Sequence, residues 1–141
     1  SAPAVAKEVT KILKAHGDLP APKADYRDGR TRVRFKECSP EEKARLIAED
    51  PAYGRVVCRC ETITEGEILN ALREEIPATT IDGVKRRCGA GMGRCQGGFC
   101  GPRVLELISK TLGISPLDVL QDKAGTNVLL CETKQEENHH D

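Results

Sequence analysis

Cys88-Gly-Ala-Gly-Met-Gly-Arg-Cys-Gln-Gly-Gly-Phe-Cys-Gly-Pro102 is the stretch whose reading decides the fold. Six of its fifteen residues are glycine, which rules out a regular helix or strand there and lets backbone approach backbone, or a bound sulfur, with no Cβ in the way. Cys95 and Cys100 make a C-x4-C clip inside it. Across 34 intervening residues lies a second clip, Cys58-Arg-Cys60. On both sides the chain is patterned for short helices. The expected fold is therefore all-α and small, with the two clips carried on loops between helices.

The helices are announced by their ends. Pro3 suits a first turn, Val5, Val9, Ile12 and Leu13 recur at helical spacing, and Gly17 stops a helix spanning Ser1 to Lys14. Leu19 to Arg34 is rich in Pro, Asp, Arg and Gly and reads as a linker, with a short edge strand at Val33 and Phe35. Ser39-Pro-Glu-Glu42 is a capping box for a helix over Pro40 to Glu49, expected to pack Ala44, Leu46 and Ile47. After a turn at 51–54, Arg55 to Val57 leads extended into the first clip. In an extended segment Cys58 and Cys60 point the same way and Arg59 the opposite way. Thr64-Glu-Gly-Glu67 caps a helix to about Glu75 that buries Ile68, Leu69 and Leu72, and Pro77 follows it. Thr79 or Thr80 opens a shorter helix to about Arg87. Gly101-Pro102 starts a longer one to Leu112, closed by Gly113. Ser115-Pro-Leu-Asp118 opens a last short helix to about Gln121. Val128 to Leu130 reads as a strand or docking tail, and Glu132 to Asp141, with its His139-His140 pair, as a disordered polar end.

Composition narrows the function classes. The chain has 141 residues, 3% aromatic and no Trp, so its core is thin and aliphatic. Its 22 basic and 22 acidic residues balance, against a general polyanion binder. Seven cysteines cannot all pair, and free or metal-bound thiols persist most easily in a reducing compartment. No apolar run reaches membrane-span length and no charged-then-apolar leader opens the sequence. A cytoplasmic location is expected, with no membrane insertion and no nucleic-acid partner.

The cysteine spacing carries the chemistry. A [2Fe–2S] rhomb is longer than one ion and needs a loop to wrap it, and four thiolates from a C-x-C and a glycine-rich C-x4-C clip meet that need. Structural zinc sites more often pair C-x2-C or C-x4-C clips with similar clips or with histidines. A zinc-stapled docking module, a metal-handing scaffold and unligated core thiols are the rival readings. Four thiolates and the oxidised core together carry about −2 by formal count. Arg59, Lys85, Arg86, Arg87, Arg94 and Arg103 lie near in sequence to offset it, and N–H groups of the glycine run can donate to sulfur. Cys88 is read as a spare thiol, and Cys38 and Cys131 as unligated. Gly89-x-Gly91-x-Gly93 lacks the spacing and preceding strand of a dinucleotide fingerprint. Lys85 to Arg87 reads as a solvated or charge-balancing face in place of a DNA reader. His16 is a surface residue, and no Ser/His/Asp or Cys/His catalytic set emerges.

Val57-Cys-Arg-Cys-Glu-Thr-Ile-Thr-Glu-Gly-Glu-Ile68, Asp82-Gly-Val-Lys-Arg-Arg87 and Gly91-Met-Gly-Arg-Cys-Gln-Gly-Gly-Phe-Cys-Gly-Pro-Arg103 resemble the BFD-like (bacterioferritin-associated ferredoxin-like) [2Fe–2S]-binding domain over about Val56 to Leu120. The resemblance implies a small helix-turn-helix-like arrangement with Cys58, Cys60, Cys95 and Cys100 as cluster ligands. The C-x4-C clip is similar to the form fused to flavin dehydrogenases; the stand-alone ferredoxin of the family uses C-x2-C. Upstream, Ser1-Ala-Pro-Ala-Val-Ala6 resembles the last helix of an FAD-dependent oxidoreductase domain. Phe35-Lys-Glu-Cys-Ser-Pro-Glu-Glu-Lys43 through Asp50-Pro-Ala-Tyr-Gly-Arg55 resembles the connector of bacterial FAD-dependent glycerol-3-phosphate dehydrogenases.

That resemblance implies a C-terminal piece of a flavoenzyme: 1–34 the last helix of a flavin domain plus linker, 35–55 a connector helix, 56–125 the BFD-like domain, 126–141 a polar tail. The piece itself would be non-catalytic. FAD would sit in the parent protein, and the cluster would pass single electrons from flavin to an acceptor protein or subunit. Flavoenzymes acting on amines, amino acids or opines carry similar domains and are the alternative parents. Ser1 to about Arg30, deprived of its flavin domain, is expected to be mobile.

Overall fold

The structure, a computed structural model, describes residues 1–17, 19, 21, 23–26, 29 and 32–133. The expectations for His139-His140 and for most of the polar end lie outside the described residues. Two compact units emerge, 1–32 and 33–141.

The first unit is built on α1 (Ala2–His16), which ends where Gly17 adopts φ 75° and its N–H caps the carbonyls of Leu13 and Lys14. Val5, Val9 and Ile12 are all exposed.

The second unit is mostly helical. α2 (Pro40–Glu49) starts at the expected box: Ser39 accepts from the Glu42 N–H while the Glu42 carboxylate accepts from the Ser39 N–H. Its expected apolar face is not buried. Ala44 and Ile47 are exposed and Leu46 is half-buried, because α2 lies at the edge and packs mainly on the following 3-10 turn, Pro51–Gly54. Val33 and Phe35 do not form a strand either. Phe35–Glu37 is a 3-10 turn that drives the Phe35 ring inward onto Tyr53, with centroids 6.2 Å apart. The Phe35 N–H finds the Glu67 carboxylate at 3.1 Å, a partner no sheet supplies.

β1 (Val56–Cys58) pairs antiparallel with β2 (Ile63–Thr64), a two-residue strand absent from the sequence reading. α3 (Glu65–Arg73) follows without a break. Its box is complete: Thr64 accepts from the Glu67 N–H, and the buried Glu67 carboxylate accepts from Thr64 N–H and Oγ1. Tyr53 lies on Gly66 so closely that a Cβ there would meet the ring at 2.8 Å. That contact joins residues 51–54 to the domain, and the Asn70 amide donates to the Tyr53 hydroxyl at 2.6 Å.

α4 (Ile81–Cys88) is capped by Thr80 and ends at Gly89, φ 87°. α5 (Gly101–Leu112) ends at Gly113, φ 66°. α3, α4 and α5 pack mutually around Ile68, Val84 and Ile108, with Val119 from the chain beyond α5. The last expected helix is only a 3-10 turn, Pro116–Asp118. The chain then runs past the start of α4, where the Ile81 and Asp82 N–H groups donate to the carbonyls of Leu120 and Gln121. Val128 makes no strand of its own; its N–H donates once, to Val119. Both clips are thus hung on one small core: the first on the β1–β2 turn, the second between α4 and α5.

Candidate metal centre

Cys58 closes β1 and is 1% exposed, packed into the core with Cys100, which is 2% exposed. Cys60 does not continue the strand. The chain turns at 59–62 and Thr62 takes φ 56°, so Cys60 is exposed. The expectation that one extended segment aims both sulfurs the same way is therefore corrected. The reason is that β2 must return antiparallel to β1, which forces the chain to reverse right after Cys58.

The second clip folds back onto the first. Cys60 Sγ donates to Cys95 Sγ at 3.6 Å. Cys100 adjoins Cys58, and burial together with that neighbour pushes its thiol up to about 11. The Cys95 thiol is held below its ordinary value, first by the Phe99 N–H, then by the Cys60 thiol and the Gly97 N–H. A glycine-rich loop is suited to bring backbone N–H groups near a sulfur in this way.

The four sulfurs thus stand as two pairs, one from each clip in each pair: a buried Cys58/Cys100 pair and a solvent-facing Cys60/Cys95 pair. Among the described residues no three Cys, His, Asp or Glu side chains close on a single point as a mononuclear site requires. Two thiolate pairs suit the two irons of a [2Fe–2S] group.

Space at the seam agrees. A Cβ on Gly93 would stand 2.3 Å from the Cys60 Cβ and 3.4 Å from its Sγ. Gly91 (φ 87°) lies against Gly97 (φ 88°) in the same loop. At Gly93 only a residue without a side chain lets the two clips close as they do. The thiolate donors, the N–H groups aimed at Cys95 and this tight seam fit a [2Fe–2S] group.

The other expected groups sort differently. Cys88 is partly buried, its thiol donates to the Val84 carbonyl at 3.3 Å, and burial pushes it up to about 11, so it stays protonated. Cys38 donates to the Arg34 carbonyl, and Cys131 is exposed. Of the six basic residues expected to balance the centre, Arg59 within the first clip and Arg94 just before the second are exposed, and Lys85 reaches the second clip through Gln96, 3.3 Å away. Arg86, Arg87 and Arg103 turn away, to Asp122, Glu74 and the Glu65/Glu106 pair. Two features escaped the sequence reading: the β2 return and the positive φ of Gln96, 48°. A glutamine gives no sequence signal for positive φ. Phe99, within the second clip, is 88% exposed.

Comparison with known proteins is consistent with this geometry. Residues 56–110 match the sequence model of the BFD-like [2Fe-2S] binding domain. The chain is 43% identical to a glycerol 3-phosphate dehydrogenase of Caloramator mitchellensis over 137 residues, 96% of this chain and 28% of that protein. It is 41% identical to an opine oxidase subunit of Rhizobium meliloti over 64 residues, 45% of this chain and 12% of that protein. It is 33% identical to one subunit of the anaerobic glycerol-3-phosphate dehydrogenase of Escherichia coli K12, again over 64 residues, with the same coverage of 45% and 12%. The chain thus spans about a quarter or less of the length of these relatives. No solved structure matches it significantly. Around the two clips, over residues 56–110, the chain is a BFD-like [2Fe-2S] binding domain.

Proposed function

We propose that this chain is the electron-relay portion of an FAD-dependent dehydrogenase acting on glycerol 3-phosphate, with Cys58, Cys60, Cys95 and Cys100 holding a [2Fe–2S] cluster. The observation that carries the reading is the meeting of the two clips: Cys60 and Cys95, far apart in sequence, lie 3.6 Å apart over a seam that only glycine permits. A bound cluster supplies one-electron exchange without bond-making at substrate. The chain's own residues do the rest. Cys58 and Cys100 anchor one end in a dry core, N–H groups of 97–99 stabilise negative charge on Cys95, and the Cys60/Cys95 end is open to a partner. FAD and the substrate belong to the remainder of the longer protein, and electrons leave for an acceptor protein or subunit.

Glycerol 3-phosphate is favoured over an opine or amine for one reason. Similarity to the dehydrogenase of Caloramator mitchellensis runs through 96% of the chain, upstream helix and connector included, whereas similarity to the opine oxidase subunit covers 45%. Among the described residues no helix is long and apolar enough to cross a membrane. A cytoplasmic location is part of the proposal.

The test is an anaerobic visible spectrum with iron and sulfide analysis, then low-temperature EPR after dithionite. Thiolate-to-iron bands, about two irons per chain and a reduced S = 1/2 signal are expected. A colourless protein holding one zinc would replace the relay with a docking module. In the full-length flavoprotein, glycerol 3-phosphate is expected to bleach the bands; bleaching by an opine instead would reassign the parent.

A further inference from the structure

Two non-glycine residues among those described have positive φ, Thr62 at 56° and Gln96 at 48°. Each follows a member of the solvent-facing sulfur pair: Thr62 stands two residues after Cys60 and Gln96 one after Cys95. Neither Cys58 nor Cys100 has such a neighbour. A β-branched residue or a glutamine in this region is strained unless its surroundings hold it, and such residues gather at functional sites. Among the described residues, positive-φ strain at non-glycine positions thus falls on the two turns that present Cys60 and Cys95.

At Gln96 the holding groups are visible. Its backbone N–H donates to the Gly93 carbonyl at 2.9 Å. Its side-chain amide donates to the same carbonyl at 3.0 Å and to the Met92 carbonyl at 3.1 Å. Its Oε1 accepts from Lys85 Nζ at 3.3 Å, which ties the turn to α4. Gly93, so held, is the residue that abuts the Cys60 side chain. One glutamine thus connects both halves of the pair: its backbone carries Cys95, and its amide fixes the peptide against which Cys60 rests. Glycine or asparagine would adopt the same φ with less strain. Neither has an amide of this reach.

We infer that Gln96 is the positioning residue of the Cys60/Cys95 pair, its side-chain amide clamping residues 92–93 and so fixing the separation of the two sulfurs. The inference rests on reading that pair as cluster ligands, but its first test does not need iron.

Phenylarsine oxide is that test. Its arsenic–oxygen bond is exchanged for two arsenic–sulfur bonds, and the two thiol protons leave with the oxygen as water, with no change of oxidation state. It therefore reports two thiols at fixed close spacing. Cys58 and Cys100 are buried, so the exposed pair reacts first. Gln96→Gly removes the clamp and relieves the strain; Gln96→Glu keeps the size and loses both N–H donors. Both are expected to slow capture by the metal-free, anaerobically reduced chain about tenfold, the factor for 1.4 kcal/mol, while Gln96→Gly unfolds no more readily than the parent. After iron loading, both are expected to broaden the EPR signal of the dithionite-reduced chain.

Unchanged capture and an unchanged EPR signal in both variants would overturn the inference. So would a Gln96→Gly chain that loses capture only in step with lost stability, since that is what a purely structural role predicts. A parent chain that captures arsenic but takes up no iron would sink the proposed relay alone and leave the clamp standing.

Discussion

Replacing Gly93 by alanine is the sharpest perturbation of the centre. The backbone of Gly93 has no positive φ, so alanine is conformationally acceptable and only the contact is at issue. The added carbon would stand 2.3 Å from the Cys60 Cβ. Unbonded carbons approach to about 3.5–4.0 Å, so Cys60 must retreat by roughly 1.2–1.7 Å. Cys60 lies on an exposed turn and can move; the Gly93 peptide, held twice by Gln96, moves less readily. Retreat takes Cys60 Sγ from 3.6 Å to about 5 Å from Cys95. A binding constellation tolerates about 0.5 Å, so the displacement exceeds that two- to three-fold. Iron content is expected to fall from about two per chain to well under one. Stability should drop by about 1–3 kcal/mol at most, the range for overpacking. Gly101→Ala is the control: no atom lies within 4 Å of the added carbon and φ is not positive there. At the head of α5 it should load fully and gain about 0.4–1 kcal/mol. Iron and sulfide analysis beside thermal unfolding reads both. A Gly93→Ala protein with the parent's iron content and spectrum would refute the contact argument.

Other outcomes rest on the same geometry. Cys88→Ser should keep iron and visible bands, because its thiol is protonated and bonded within α4, whereas Cys95→Ser should lose both; metal analysis decides. Glu65 is held down to about 2 by Arg55 and Arg103. A carboxyl lowered on folding lends stability above its ordinary value near 4.5, and that share fades as pH falls towards 2. With both arginines about half exposed, on the order of 1–2 kcal/mol is expected. Denaturant titrations of Glu65→Gln should lack that acid limb. Glu67→Ala strands the Phe35 N–H and the Thr64 N–H and hydroxyl. It should cost about 2–3 kcal/mol by chemical denaturation. Phe99→Ser, at an exposed ring, should shift stability by less than about 0.5 kcal/mol and leave iron content unchanged.

Helix ends were legible because they are local. Ser39 with Glu42, Thr64 with Glu67, and Gly17 and Gly113 act within one turn of the chain, and each terminates or caps a helix here. The edges of the domain were not. Phe35 leaves its expected strand because Tyr53 and Glu67, distant in sequence, offer a ring and a carboxylate. Ala44 and Ile47 stay exposed because burial depends on what another segment brings alongside, which periodicity cannot report.

The centre divides along the same line. Which residues supply thiolate, and that they come in a C-x-C and a C-x4-C clip, is decided by covalent order alone. Glycine's tolerance for close approach is likewise an intrinsic property of the residue. How the sulfurs pair is a tertiary matter. The return of β2 turns Cys60 away from Cys58, and the closure of the second loop brings Cys95 to Cys60 and leaves Cys100 with Cys58 in the core. A sequence specifies its donors one by one; the spacing between donors far apart in the chain is set by the core that holds their loops.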